Sequence, residues 1–290
     1  MKAGRLFEPW LGQLTGRSPN PLVKSSKMNI RRLLELDTVV PQKYVWKYIT
    51  TNAFNEELKR AETIEEANRL YWHDVAQNLE VYNALVVWRS AELLRATIDL
   101  LNSGEVLVPA ILGRSAIELA SAAVVNANSL SMAIHNTIDR AARHRDALKS
   151  PIVSDTLESH MSRIVHGTRI GDQIQEAKQV NVGYFIDIMS KSPGQGELKM
   201  VYESLIEVAR PNVWGNVRTW ADLTRRSKES VQLAEMKRDG RNHFTDSVRT
   251  LTIWALSWSS LRILEAVDTI QEVVDKVFEI WPPDGRKLRT

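Results

Sequence analysis

Residues 64–101 read IEEANRLYWHDVAQNLEVYNALVVWRSAELLRATIDLL, 38 residues without a Pro or a Gly. Val75, Leu79, Tyr82, Val86, Arg89, Leu93, Ala96 and Leu100 step by four and three, which puts them on one seam of a long amphipathic helix. Asn102-Ser103-Gly104 supplies a stop. A second helix from Glu105 to about His144 then returns antiparallel to the first, because so short a linker allows little else. Pro109 falls in its first turn, where a missing amide costs no hydrogen bond.

Outward from this pair the same logic predicts helices over Asn29–Leu36, Gln42–Lys59, Val153–Gln179, Asn181–Met189, Leu198–Ala209 and Thr245–Phe278. Lys191 to Gly196 is a loop, and Pro282-Pro283-Asp284-Gly285 ends the last helix. Residues 214–242 crowd charges and lose the helical period, so a loop or hairpin excursion is expected there. Residues 1–26 carry Pro9, Pro19, Pro21, Gly4, Gly12, Gly16 and Asn20, which predicts an irregular N-terminal arm pinned by Leu6, Phe7 and Trp10. The expected class is all-α: a bundle of long antiparallel helices forming a single domain over 27–290.

Composition removes several chemistries. With 43% apolar and 25% charged residues the chain is ordinary globular material, and a net charge of +3 is too small to mark a nucleic-acid binder by itself. The absence of cysteine excludes disulfides, thiolate zinc, iron–sulfur clusters and thiol nucleophiles. Six histidines fall into no metal-ligating spacing, and there is no Walker loop, G-x-S-x-G or G-x-G-x-x-G, so neither a metal nor a cofactor is expected. Leu119–Ile138 is uncharged and long enough to span a bilayer, but its Ser, Asn and His content argues against membrane insertion. The first 16 residues lack an apolar run with a cleavage site, and the expected location is the cytoplasm.

Two arginines stand where charge is expensive. Arg89 occupies the seam of the long helix, with Glu92 three residues on; Arg114 lies in the apolar stretch Val106–Val125, with Glu118 one turn on. A buried guanidinium must be paired, so these are read first as structural ion pairs that set helix register, and second as a phosphate site. Trp214 and Trp220 stand beside Arg210, Arg218, Arg225 and Arg226, a stretch read first as a solvated, partly buried loop and second as an aromatic and arginine mixture suited to single-stranded RNA or a partner protein. The other tryptophans mostly fall at helical spacing and read as core.

Ile111-Leu112-Gly113-Arg114-Ser115-Ala116-Ile117-Glu118 is similar to the R-S-x-x-E signature of poorly characterised helical families related to the HEPN superfamily. Tyr202-Glu203-Ser204-Leu205-Ile206-Glu207 leading into Arg210-Pro211-Asn212-Val213-Trp214-Gly215 resembles their pattern Y-x-x-L-x-E-x-x-H-P-N-x-x-G. The resemblance spans roughly Ile64 to Gly215 plus the final helix. It implies a homodimer and a metal-independent RNA-cleaving or RNA-binding effector of a bacterial defence or stress system, in which Arg holds phosphate and His moves a proton from the ribose 2′-OH. Small residues Ala120, Ser121, Ala122 and Ala123 suit close helix packing in such a dimer.

The chain departs from the pattern at Arg210, where relatives have His; guanidinium does not release its proton near neutral pH. Arg238 to His243 matches the catalytic R-x4-6-H motif, yet 24 Arg, six His and three spacings supply about 1.5 matches by chance. A helix N-terminus at His243 would favour a phosphate there. Arg210, Asn212 and Trp214 are the expected loop contacts. The alternative reading is a non-catalytic helical dimerisation or protein-interaction module, with Arg114 and Glu118 as architecture.

Overall fold

A computed structural model of the chain describes residues 6–45, 51–143, 153–166, 180–224, 233–236 and 242–283. It is an all-α bundle of long helices. Helices α1 (Pro9–Arg17), α2 (Pro21–Lys24), α3 (Ser26–Val39) and α4 (Thr51–Arg60) precede the long α5 (Ile64–Asn102) and α6 (Leu107–Arg143). Then come α7 (Asp155–His166), α8 (Val182–Ser190), α9 (Leu198–Ala209), a π-helical turn over Val213–Arg218 and the long α10 (His243–Ile280). Between the turn and α10, β1 (Ala221–Thr224) pairs antiparallel with β2 (Leu233–Met236), Ala221 opposite Met236.

The stop after α5 is a Schellman turn. Glu105 N–H donates to the Leu100 carbonyl and Gly104 N–H to that of Leu101, with Gly104 at φ +90°, a conformation that glycine adopts without strain.

The chain divides into two compact units. Met1–Val39, Val87–Ala123 and Val182–Leu264 make one; Val40–Val86, Val124–Asn181 and Glu265–Thr290 make the other. In the first, Leu11, Ile30, Leu33, Leu94, Ile98, Ile117, Leu198, Leu205, Ile253 and Leu256 are buried. Gly113 brings α6 close to α10, since a Cβ there would stand 3.1 Å from Thr252 Cγ2. Trp254 and Trp258 stack 6.1 Å apart on α10 and donate their indole N–H groups to Glu197 (3.0 Å) and Gln195 (2.6 Å), which ties the loop before α9 to α10. In the second unit Trp72 and Trp281 stack at 5.5 Å, with Tyr71 edge-on to Trp72. His73 Nε2 donates to the Trp281 carbonyl at 2.6 Å.

Three expectations are corrected. Residues 9–17 are helical, because Pro9 at the first position fits a helix and Leu11 and Thr15, one turn apart, are buried together. Asn102 then holds the preceding segment: its Oδ1 accepts from Glu8 N–H (2.9 Å) and its Nδ2 donates to the Leu6 carbonyl (3.0 Å). Residues 42–45 are not helical, and α4 starts later than the pattern predicts.

The third correction concerns the seam of α5. Beyond Leu79 the buried row runs through Asn83, Val87, Ala91, Leu94, Ile98 and Leu101, so Arg89 and Glu92 are exposed and neither is a buried charge. A seam drawn at 3.5 residues per turn rotates by about 20° per heptad against a straight α-helix, so the drawn row drifts toward the edge of the buried stripe as it lengthens.

Candidate functional site

Arg114 and Glu118 are one turn apart on α6, and Arg114 Nε donates to Glu118 Oε1 at 2.8 Å. The same oxygen accepts the Tyr202 hydroxyl of α9 at 2.8 Å, while the Arg114 guanidinium lies 5.9 Å from the Tyr202 ring centre. The two stretches that carry the sequence resemblance therefore touch at one carboxylate. The Arg114 side chain is 37% exposed and that of Glu118 21%, so the arginine is half-buried rather than enclosed in apolar surroundings as expected.

Burial alone would lower the Arg114 pKa, but the hydrogen bond and charge of Glu118, with Tyr202 adding to them, outweigh it and raise it. Burial, then Glu118, raises Tyr202 as well. Neither group gives up its proton near neutral pH, and Glu118 Oε1 is already used twice. The cluster is a polar cross-link between α6 and α9.

The second cluster begins at the end of α9. Arg210, 64% exposed, donates to Glu207 Oε1 at 3.0 Å, and Asn212 Nδ2 donates to Glu207 Oε2 at 2.7 Å. Asn212 Oδ1 accepts from Trp214 N–H (2.9 Å) and Gly215 N–H (3.1 Å), so it caps the π-turn. A Cβ at Gly215 would lie 2.4 Å from the Arg210 carbonyl oxygen and 2.6 Å from that of Val208, so only glycine fits. This gives the P-N-x-x-G stretch a mechanical meaning: Asn212 closes the turn, and Gly215 lets it pass under the end of α9.

The third cluster joins the π-turn to the start of α10. Trp214 is 40% exposed; Phe244 packs on it at 5.4 Å, and the Arg218 guanidinium lies 4.9 Å over its ring. Asn242 Nδ2 donates to the Arg218 carbonyl at 3.2 Å. His243 is exposed and opens α10. Its expected partner Arg238 lies outside the described residues. The helix start is already capped: Asn242 Oδ1 accepts from Thr245 N–H (2.9 Å), and Thr245 Oγ1 accepts from Asn242 N–H (3.0 Å). The third amide of α10 is thereby occupied, which weakens the expected phosphate site. No hydrogen bond or ion pair among the described residues joins His243 to Arg114, Glu118 or Arg210.

A groove of about 510 Å³ is lined from α8 by Ile186 and Asp187 and from α9 by Lys199, Tyr202, Glu203 and Glu207, with Arg210 at its end. Among the described residues no group of three or more His, Asp or Glu side chains is placed to hold a metal ion.

The sequence reading missed Arg249. It is 3% exposed, donates to the Gly104 carbonyl (2.6 Å) and Asp246 (3.1 Å), and stands 5.4 Å from the Trp10 ring centre, tying α10 to α1 and to the turn after α5. Its position four residues after Thr245 and three before Thr252, both fully buried, was the available signal.

Compared with protein-family models, curated proteins and solved structures, the chain has no match.

Proposed function

We propose that this chain is a HEPN-like helical protein that works as a non-catalytic interaction module and self-associates through α6. The observation that carries the reading is a row on α6: Val108 (45% exposed), Ile111 (38% exposed), Ser115, Leu119 and Ala122, none of them buried in the chain. The spacing is three, four, four, three, which is symmetric about Ser115. An antiparallel crossing at Ser115 sets Val108 against the partner's Ala122 and Ile111 against the partner's Leu119, the isologous arrangement of a two-fold dimer. The only charges on this part of α6, Arg114 and Glu118, neutralise one another and leave no unpaired charge beside the row.

The HEPN-like assignment rests on the contact between the R-S-x-x-E and Y-x-x-L-x-E stretches at Glu118. Helix α6 is also long and apolar enough to cross a membrane by length and composition, but half of its most apolar window is buried within the protein. That burial favours a soluble partner for the remaining face.

Sedimentation equilibrium of the full chain tests the reading. The wild type is expected to be a dimer, and Val108→Glu with Ile111→Glu a monomer of unchanged helicity. A monomeric wild type at tens of micromolar ends it.

A second reading, metal-independent RNA cleavage, is favoured by one observation: the exposed His243 ring makes no hydrogen bond among the described residues and stays available to a substrate. RNA cleavage with and without EDTA, lost in His243→Ala, supports it; no cleavage by the wild type refutes it.

A further inference from the structure

The Trp214 ledge is not explained by self-association through α6. Trp214 stays 40% exposed although nearly all the other described tryptophans are better covered, and it is held from three directions. Asn212 Oδ1 takes its amide, Thr219 Oγ1 donates to its carbonyl at 3.1 Å, and Phe244 braces its ring. Arg218 is exposed, places its guanidinium carbon 4.9 Å from the indole ring centre, and has no carboxylate partner among the described residues. An exposed aromatic fixed in place, beside a cation that no carboxylate among the described residues neutralises, is suited to a ligand that is both flat and anionic. A free guanidinium draws in phosphate, and the guanidinium plane or the indole takes a base face.

We propose that Trp214 and Arg218, braced by Phe244, form a binding site for single-stranded nucleic acid, with one base stacked on the Trp214–Arg218 pair and a neighbouring phosphate held by Arg218. Duplexes are excluded because their bases are already stacked on one another. The site requires no catalysis. It deepens the second functional reading by naming the surface and ligand class, and it is independent of self-association through α6.

The test uses the full chain and fluorescein-labelled 12-mers: oligo-U, oligo-dT and a mixed-sequence duplex, followed by anisotropy at two salt concentrations. Single strands are expected to bind in preference to the duplex, and Trp214→Ala to weaken them about tenfold or more, the loss of one stacked base. Trp214→Phe keeps a stacking ring and is expected to restore most of the affinity, which separates stacking from folding. Arg218→Lys keeps the charge but loses the plane and is expected to fall between. Comparing oligo-U with oligo-dT shows whether the 2′-OH contributes. Parallel gels read cleavage, so binding without cleavage supports the site while refuting the nuclease reading. Two results overturn the proposal: no binding of either single strand by the wild type, or equal affinities for wild type and Trp214→Ala. If Trp214→Ala changes sedimentation but not oligonucleotide affinity, the ledge faces a protein and the proposal also falls.

Discussion

Gly215→Ala is the sharpest perturbation of the candidate site, because its cost can be read from the backbone. The added Cβ meets two carbonyl oxygens at 2.4 and 2.6 Å, about 1.0 and 0.8 Å short of ordinary van der Waals contact at 3.4 Å. Neither oxygen can swing away as a side chain would. The Arg210 carbonyl accepts the Asn212 amide at 2.8 Å, and Val208 is buried near the end of α9. The turn itself must move, and with it the Asn212 cap on Trp214 and Gly215. Overpacking costs about 1–3 kcal/mol and loss of a cap about 1 kcal/mol, so roughly 3 kcal/mol is expected in total. For a chain of this size that is a fall of roughly 5–10 °C in Tm by circular dichroism. Gly196→Ala is the control, since nothing lies within 4 Å of a Cβ there and its backbone is outside the left-handed region; it is expected to be neutral or slightly stabilising. If Gly215→Ala melts with the wild type and Gly196→Ala does not differ from it, the steric reading of the P-N-x-x-G stretch is wrong.

Three other outcomes are expected. Glu118→Gln removes the charge that helps hold the Tyr202 pKa up, so a tyrosine titration should show Tyr202 ionising at lower pH, with a stability loss of only about 1 kcal/mol because the pair is half-exposed; an unmoved Tyr202 would sink the assignment. Burial pushes Tyr82 up to about 12, so the folded state holds this proton more tightly than the unfolded chain, and the resulting stability is present below pH 10 and lost as pH rises through 12. The unfolding free energy from urea titrations should fall less steeply over that window in Tyr82→Phe, by up to about 2–3 kcal/mol, and a variant with the wild-type alkaline slope would contradict this. Arg249→Met keeps a long side chain but leaves the part-buried Gly104 carbonyl without its donor, which should cost about 1–2 kcal/mol in urea unfolding; full stability would show that the bond to Gly104 contributes nothing.

How far the sequence could be read depended on which physical signal each residue carries. The long helices were legible because apolar periodicity over 38 residues averages out local noise, and the α5 stop because glycine is favoured at the positive φ that a Schellman turn requires. The phase of the α5 seam was not. Periods of 3.5 and 3.7 residues per turn differ by less than a residue over the first two turns, so Arg89 was placed inside on a pattern correct at Val75 and one residue out by Val87. Helix α1 was obscured because Gly12, Gly16 and Pro9 signal turns locally, whereas the burial of Leu11 and Thr15 and the Asn102 bonds that hold the arm come from partners almost a hundred residues away.

The same division runs through the candidate site. Arg114 and Glu118 announce their pairing through i, i+4 spacing, but nothing local says that Tyr202 completes it from 84 residues on. Arg249 is the inverse case, a cation on a buried helix row whose necessity appears only when the Gly104 carbonyl is seen facing it. Such residues share a physical feature: each satisfies a backbone or carboxylate group supplied by a distant element. Charged and aromatic groups left without such an obligation are the ones free to meet a ligand. Arg249 and Glu118 are occupied by the fold; Arg218, Trp214 and His243 carry exposed chemistry that the packing of the described residues does not consume.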